Sequence, residues 1–346
     1  MQEETLTRPH QPQLHPKFSI IIVNYNGGAY LQAALDSLKT QTLRDFEVIC
    51  VDNASTDGSA DSIDPSGLPA FQLIRSDENL GFAAGNNHAS KSATGEWLCL
   101  LNPDAVAAPD WLASIAAGME RHPRCNVFAC AQYMLEDPDR LDGAGDAFLV
   151  FGIPWRGGFE RPATELPAEG TCFSPCGASA VFRRTTFMEH GGFDERFFCY
   201  CEDVDLGYRM QLAGEDCVFL PSACISHKGS GTSGADSYFT TYHGNRNRTW
   251  AYFKNTPLSL LILTLPGHVA ILGYIYWRNR KNLQHTGMQD GIREGLRTGW
   301  EMRKSPKFKV QKRKRSLLGL VAAMAFNPFR MARRKAHVRR LKNRGV

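Results

Sequence analysis

Strand-like and helix-like segments alternate along the first ~120 residues, which predicts an open, mostly parallel α/β sheet. The apolar run "FSIIIVNYN" opens the series, and "AYLQAALDSLKTQ" follows with Leu31, Ala34, Leu35 and Leu38 on one helical face. "FEVICVDNASTDGS" and "FQLIRS" supply the second and third strands, and "FAAGNNHASKSA" reads as a helix of small residues. "EWLCLLNPDA" is a fourth strand broken by Asn-Pro-Asp, and "PDWLASIAAGMERH" is a helix with Pro109 near its start. Continuously apolar strands of this kind are buried on both faces. Open sheets bind ligands beyond the carboxyl ends of their strands. The polar clusters at 24–26, 52–57 and 102–104 fall at those ends.

Charge divides the chain. Residues 278–346 carry 21 Lys+Arg against 3 Asp+Glu, a net +18. The whole chain has 40 and 35, so the first 277 residues hold 19 and 32, a net −13. An acidic body with a basic tail points to an anionic surface as the tail's partner, membrane lipid or nucleic acid, unless the tail is simply solvated. The ten cysteines include no pair with the two-residue gap of a zinc knuckle or a redox motif. Cys50 and Cys99 sit inside apolar runs and read as buried thiols, which suits a reducing compartment. "MQEETLTRPHQPQLHPK" has no apolar core of a signal peptide and reads as a flexible arm, with the body in the cytosol.

Between residues 136 and 171 the pattern loosens into Gly and Pro without a clear period, an excursion expected to line a site rather than build the core. Regular structure returns with "CGASAVFRR", a helix from about Glu202, and the short strands "CVFLP" and "CISHK". There is no P-loop and no G-x-G-x-x-G, so a ligand phosphate needs a metal or basic side chains. Asp104, at a strand end, can supply an oxygen ligand for Mg²⁺ or Mn²⁺, or serve as the turn residue after Asn102-Pro103. His227 ends a second apolar run; it joins a metal site only if the fold brings it to Asp104, and is otherwise an ordinary surface or core histidine.

"FFCYCEDVDLGYRM" sets three carboxylates against aromatic residues. On a helix from Glu202 or Asp203 ending at Gly214, Asp205 meets Arg209 at i+4 and reads as structural. Asp203 faces Gly207 at i+4, which leaves it without a charged partner and sterically open. The helix N-terminus is expected to favour its ionised form, as a general base requires. Glu202 caps the helix or binds an acceptor hydroxyl.

Six motifs in order, "SIIIVNYNGGAYL", "VICVDNASTDGS", "ENLGFAAGNN", "LLNPDA", "GGFDERFFCYCEDVDLGYR" and "SHKGSG", resemble the inverting glycosyltransferase family 2 of the GT-A nucleotide-diphospho-sugar transferase fold, especially its bacterial rhamnosyltransferase-like members. They span about residues 18–255. The resemblance implies a GT-A catalytic domain (18–255); composition adds an N-terminal arm (1–17) before it and, beyond the motifs, an apolar hairpin with a basic helical tail (256–346). It places Asn24, Tyr25 and Asn26 in the nucleotide site and has Asp52 read the pyrimidine. Asn79, Gly81 and Asn86 fall in the same nucleotide-binding stretch. "NPD" stands where the family has DxD, which makes Asp104 the holder of a divalent metal (Mg²⁺ or Mn²⁺); Asn102 replaces the first Asp and alters a ribose contact. By the same resemblance Asp203 is the catalytic base beside Glu202, His227 a metal ligand, and Arg246 and Asn247 neighbours of the diphosphate.

The reaction so implied is attack by an acceptor hydroxyl on the anomeric carbon of a nucleotide-diphospho-sugar, with inversion; the donor read from the resemblance is dTDP-rhamnose, and the acceptor a lipid-linked or glycan precursor. A sugar-1-phosphate nucleotidyltransferase shares the fold type but needs a basic Gly-rich loop after the first strand, which "NYNGGAYL" lacks. A non-catalytic membrane- or nucleic-acid-binding protein explains the tail but not Asp104, Asp203 and His227. The tail's partner is therefore read as an anionic membrane and not nucleic acid. Twenty-three residues, "NTPLSLLILTLPGHVAILGYIYW", lie between Lys254 and Arg278 without a formal charge, and about 20 apolar residues span a bilayer. A single span would put the basic tail outside, against the positive-inside rule. The sequence therefore predicts a helix–break–helix hairpin, broken at Pro266-Gly267, dipping into the cytoplasmic leaflet of a bacterial inner membrane.

Overall fold

β1 (Phe18–Asn24) is buried along its whole length, and everything that positions the site is arranged around it. The computed structural model describes residues 16–229, 237–281, 285–304 and 313–341. The expected N-terminal arm up to residue 15, the Gly/Ser loop after Gly229 and parts of the basic tail lie outside the described residues. The first half continues with α1 (Ala29–Lys39), β2 (Phe46–Asp52), β3 (Phe71–Arg75), α2 (Gly81–Ser92), β4 (Trp97–Leu100), β5 (Ala105–Ala107) and α3 (Trp111–Arg121). Next come β6 (Val127–Met134), β7 (Leu141–Ala144), β8 (Asp146–Phe148), β9 (Pro154–Arg156), β10 (Gly170–Cys172) and β11 (Ala180–Arg183). α4 (Arg184–Glu189), α5 (Glu202–Ala213), β12 (Cys217–His227) and α6 (Tyr238–Asn255) complete the body. α7 (Leu258–Asn279), α8 (His285–Lys304), α9 (Leu317–Ala323) and α10 (Pro328–Ala332) follow.

The main sheet runs in the order β3-β2-β1-β4-β11-β6-β12-β10, with β5 on β12 and β7 on β6. β1 to β4 are parallel, β11 enters antiparallel between β4 and β6, and β12 lies parallel to β6. This is the α/β GT-A arrangement expected from the sequence. From β1 the chain goes one way to β2 and β3, then returns to place β4 on the other side. The crevice at that reversal is where an open sheet binds its ligand.

Side-chain alternation along β1 serves two layers at once. Ile20 and Ile22 pack with Leu31, Leu35 and Trp111 on one face, and Ile21 and Val23 with Ala83 and Ala89 on the other. Each such side chain contributes about 1.5–3 kcal/mol by burial. Small residues in α2 have a cause: a Cβ on Gly85 would lie 2.7 Å from Cγ1 of Val23, so only glycine lets the helix sit this close to the sheet.

Three expectations change. The stretch 136–171 lines the site as expected, through Asp146, Pro154, Trp155 and Arg156, but it also builds the core, because β7 and β10 join the main sheet and β8 pairs with β9. Their shortness hid them, since three or four residues show no period. "CVFLP" and "CISHK" form one strand, β12, whose register shifts between Leu220 and Cys224 around Pro221; proline is tolerated in a strand at such an irregularity. The predicted break at Pro266-Gly267 is absent, and α7 is one continuous helix with Pro266 inside it. Packing holds it together: Leu260, Leu261, Thr264, His268 and Leu272 are buried, and a Cβ on Gly267 would meet the Phe151 ring at 2.4 Å. Its other face exposes Leu258, Ile262, Leu263, Val269, Tyr274 and Trp277.

The C-terminal segment folds back over the body. Arg339 and Thr171 exchange backbone hydrogen bonds at 2.8 Å, and the Trp155 indole donates to the Lys335 carbonyl. Arg315 pairs with Asp216, and Arg334 with Glu160, so part of the basic tail neutralises the acidic body.

Candidate active site

Two adjoining cavities of about 430 and 370 Å³ open at the carboxyl ends of β1 and β4, and Phe82, Asn102, Arg156, Cys199 and Tyr200 line both. The larger one is also lined by Tyr25, Asn53, Asn79, Gly81, Asp104 and His227. The smaller holds Asp146, Glu202, Asp203 and Arg248.

Antiparallel pairing of β12 with β5 sets His227 opposite Ala105, next to Asp104. The His227 Nε2 lies 3.1 Å from Asp104 Oδ1 and 3.1 Å from Asn102 Nδ2. Its Nδ1 faces Asp142 at 2.8 Å, and Asp142 holds Arg156 through both carboxylate oxygens at 2.8 and 2.9 Å. Burial opposes a charge on His227, but the hydrogen bonds to Asp104 and Asp142 outweigh it and hold the imidazole up at about 9. Asp142 is held below the usual carboxylate range, since Arg156 and His227 overcome the cost of its burial.

These residues fit a divalent cation. A carboxylate oxygen and an imidazole nitrogen converge, and the buried Oδ1 of Asn102 has no hydrogen-bond partner among the described residues. Asp142 fixes the histidine from behind, the outer-shell arrangement metal-ligating histidines commonly show. Among the described residues no group of three His, Cys, Asp or Glu side chains forms a cage, so a ligand's oxygens and water would complete the coordination.

The second cavity is shaped by a strained loop. Phe198, Tyr200 and Cys201 have φ of 64°, 73° and 65°, a region non-glycine residues enter at a cost of about 1–3 kcal/mol each. Asn247 clamps it, its Nδ2 lying 2.7–2.9 Å from the carbonyls of Phe197, Cys199 and Tyr200. α5 follows at once and presents Glu202 and Asp203. The Asp203 carboxylate accepts the Gly177 and Val204 amides, both at 2.7 Å. Asp203 therefore has backbone partners and not the open surroundings expected. Gly207 serves a different contact, since a Cβ there would fall 2.2 Å from Cβ of Ser174. The helix N-terminus does not win either: burial raises Asp203 above its ordinary value against those two amides and Arg156. Burial and the neighbouring Asp203 push Glu202 and Asp146 well above theirs. With the two amide donors to itself, Asp203 is the first of the three to ionise. Asp205 is structural as read, fully buried and held by Arg209, Lys254 and Asn255 at 2.8–2.9 Å.

Other sequence candidates frame the cavities, and of these only Gly81 also lines one. Asn24 is buried and donates to Ser55 and Ser59, while Asn26 accepts from the Thr56 amide; together they tie the β1 loop to the β2 loop. Asp52 accepts from the Ser55 amide at 3.3 Å and faces Arg75 at 3.4 Å. Asn86 is spent within α2 on the Phe82 carbonyl. Arg246 stacks 4.1 Å from the Trp250 centroid and donates to the Phe197 carbonyl. Gly81, at φ 78°, leaves room for Phe198, whose ring a Cβ would strike at 2.5 Å. Asn53, which bridges Asn79 and the Leu80 amide, was not singled out from sequence, nor were Asp142, Asp146, Arg156 and Arg248.

A mostly parallel sheet with a carboxylate–histidine pair in one cavity and a buried carboxylate cluster in the next defines a glycosyltransferase of the GT-A type. The chain belongs to glycosyl transferase family 2, whose model matches residues 19–191. It is 29% identical over 252 residues to an N-acetylglucosaminyl-diphospho-decaprenol L-rhamnosyltransferase of Mycobacterium tuberculosis, covering 65% of this chain and 80% of that protein. Among solved structures it resembles GalNAc-T7 with UDP, GalNAc and Mn²⁺ (TM-score 0.56, 16% identity, 70% of this chain but 48% of that one). It also resembles the mannosyltransferase PcManGT from Pyrobaculum calidifontis in complex with GDP-Man and Mn²⁺ (TM-score 0.52, 18% identity, 84% and 89%).

Proposed function

We propose that the protein transfers a sugar, with inversion, from a nucleotide-diphospho-sugar to a hydroxyl of a lipid-linked acceptor, and that the donor is dTDP-rhamnose. The observation that carries this reading is the position of Asp203 in a cavity that shares a wall with the one holding Asp104 and His227. Donor and acceptor then meet across Asn102 and Tyr200. Asp203 takes the hydroxyl proton, and the oxygen forms its bond to the anomeric carbon as the bond to the diphosphate breaks. The raised pKa of Asp203 suits it to a proton with a high pKa. Glu202, whose Oε2 has no partner among the described residues, is placed to meet an acceptor hydroxyl, and burial beside Asp203 favours its neutral form, which keeps a second negative charge away from the base. Asp104 and His227 would hold a Mg²⁺ or Mn²⁺ ion, which when bound supplies positive charge beside the leaving diphosphate. Tyr25, Asn53, Asn79 and Gly81 form the nucleotide side of that cavity, with Asn24, Asn26 and Asp52 fixing the loops behind it. The rhamnosyl donor and the lipid-linked acceptor are drawn from the mycobacterial relative, whose name states both a rhamnosyl transfer and a diphospho-decaprenol acceptor.

We place the protein at the cytoplasmic face of a bacterial inner membrane. The apolar outer face of α7 meets the bilayer and the +18 segment beyond it meets anionic headgroups. This keeps the proposed division at residue 255, with a catalytic body and a membrane-facing appendage packed on it. The test is a panel of nucleotide sugars offered with a prenyl-diphosphate-linked sugar. Release of nucleoside diphosphate together with an inverted glycosidic linkage supports the reading, whereas release of pyrophosphate from a nucleoside triphosphate and a sugar 1-phosphate, run as a parallel assay, would mark a nucleotidyltransferase.

A further inference from the structure

The smaller cavity contains a cation that the reaction just described does not use. Arg248 lines it from α6, half-buried, and its single side-chain hydrogen bond among the described residues is a long one, 3.3 Å to the Gly244 carbonyl. Among the described residues no carboxylate pairs with it. The other arginine of the cavity, Arg156, is already bound through Asp142, and it is Arg156 whose field reaches Asp146 and Asp203. A guanidinium withdrawn from water carries five donors, and leaving them without an anion is costly. Phosphate oxygens match that fork in charge and shape.

Position decides whose phosphate it is. The donor's diphosphate belongs with Asp104 and His227 in the larger cavity, which Arg248 does not line. Arg248 lines the smaller cavity together with Asp203, on the acceptor side. It is also close enough to His268 to disfavour that imidazole's charge, and His268 is on the buried face of α7. The opposite face of α7 is the exposed apolar one carrying Ile262, Leu263 and Val269. Base and guanidinium thus share one cavity, and the guanidinium is near the helix whose outer face is apolar, a set of neighbours that matches an amphiphile's sugar, phosphate and lipid.

We propose that Arg248 binds the phosphate through which the acceptor sugar is joined to its lipid. The inference rests on the reading of Asp203 as the base for an acceptor hydroxyl, and it makes the phosphate a recognition element of its own. Phosphate recognition by one guanidinium fork is worth about ten- to hundredfold in binding.

The experiment compares two acceptors carrying the same sugar, a short-chain prenyl diphosphate and an alkyl glycoside, with the full-length wild type, Arg248→Gln and Arg248→Lys. Expected is a fall of about ten- to hundredfold in the ratio of kcat/KM for the diphosphate acceptor to that for the alkyl glycoside in Arg248→Gln. Arg248→Lys, a point charge without the fork, should recover part of it. Inorganic pyrophosphate should compete with the diphosphate acceptor in the wild type and lose that effect in Arg248→Gln. An unchanged ratio, or pyrophosphate competing against the nucleotide sugar alone, overturns the proposal. Absence of transfer from any donor to either acceptor in the wild type would instead contradict the proposed function itself. Because the ratio is read within one variant, a loss of folded protein cancels from it.

Discussion

His227 reaches Asp104 with one ring nitrogen, 3.1 Å away, while its other nitrogen is held 2.8 Å from Asp142. The pair comes from residues 123 positions apart, joined because β5 and β12 are neighbours in the sheet. Asp104→Ala should abolish the dependence of nucleotide-sugar binding on Mg²⁺ or Mn²⁺. His227→Ala should reduce it in part, and Asp142→Asn should weaken metal affinity by about 10–100-fold through loss of the outer-shell anchor. Calorimetric titration of nucleoside diphosphate with and without metal checks all three. Wild-type binding and activity unchanged in EDTA would remove the metal from the account.

Acidity of the base cavity gives a stability prediction. Glu202 is 4% exposed, and its Oε2 has no partner among the described residues. Its folded pKa is raised by burial and by Asp203, so its contribution to stability is complete below the unfolded pKa and is lost as pH rises through the folded one. Glu202→Gln should therefore melt higher than wild type at pH 8, by about 2–4 °C, with the difference shrinking toward pH 4. Scanning calorimetry across that range decides it, and a lower Tm at pH 8 would contradict the burial argument.

A similar sign governs turnover. Asp203 must be ionised to accept a proton, and burial raises its pKa. The acid limb of the kcat/KM profile should fall above the ordinary carboxylate range. A limb near pH 4 would show that the base is better solvated than the structure has it.

Much of this was legible in the sequence, for definite physical reasons. β1, β2 and β4 are buried on both faces, so their continuous apolar runs marked them, and the polar residues ending those runs marked the ligand crevice. Asp205 was separable from Asp203 because an i+4 arginine is visible in sequence. The backbone donors of Asp203 were not, since Gly177 reaches it only through the insertion of β11 into the sheet. Asp142, Asp146 and Arg156 were missed because their strands of three or four residues carry no period. Pro266 misled as a helix breaker because the packing that sustains α7, against Phe151 and Tyr252, lies more than a hundred residues upstream in one case and in a neighbouring helix in the other.

Asn247 holds three carbonyls of the strained loop before α5. Asn247→Ala removes the amide facing three carbonyls, and should cost about 1–3 kcal/mol of stability and lower kcat, because loop 197–201 sets the start of α5. Thermal melting and steady-state kinetics measure both. Full stability with normal turnover would show the clamp to be dispensable.

Membrane contact can be tested on the outer face of α7. Ile262 and Leu263 are 68% and 77% exposed, so replacing both with Gln should leave Tm within about 1 °C, as for other surface sites. Cosedimentation with anionic phosphatidylglycerol vesicles should fall several-fold. Unchanged vesicle binding would rule out this face as the docking surface.

The most direct measurement is single-turnover transfer by Asp203→Asn, with donor binding followed in parallel. The substitution keeps the shape and one of the two amide contacts, the one from Gly177, while removing the proton acceptor. Transfer should drop by about 10²-fold or more with donor affinity essentially unchanged. Near-normal transfer would contradict Asp203 as the base and pass the role to Glu202 or Asp146.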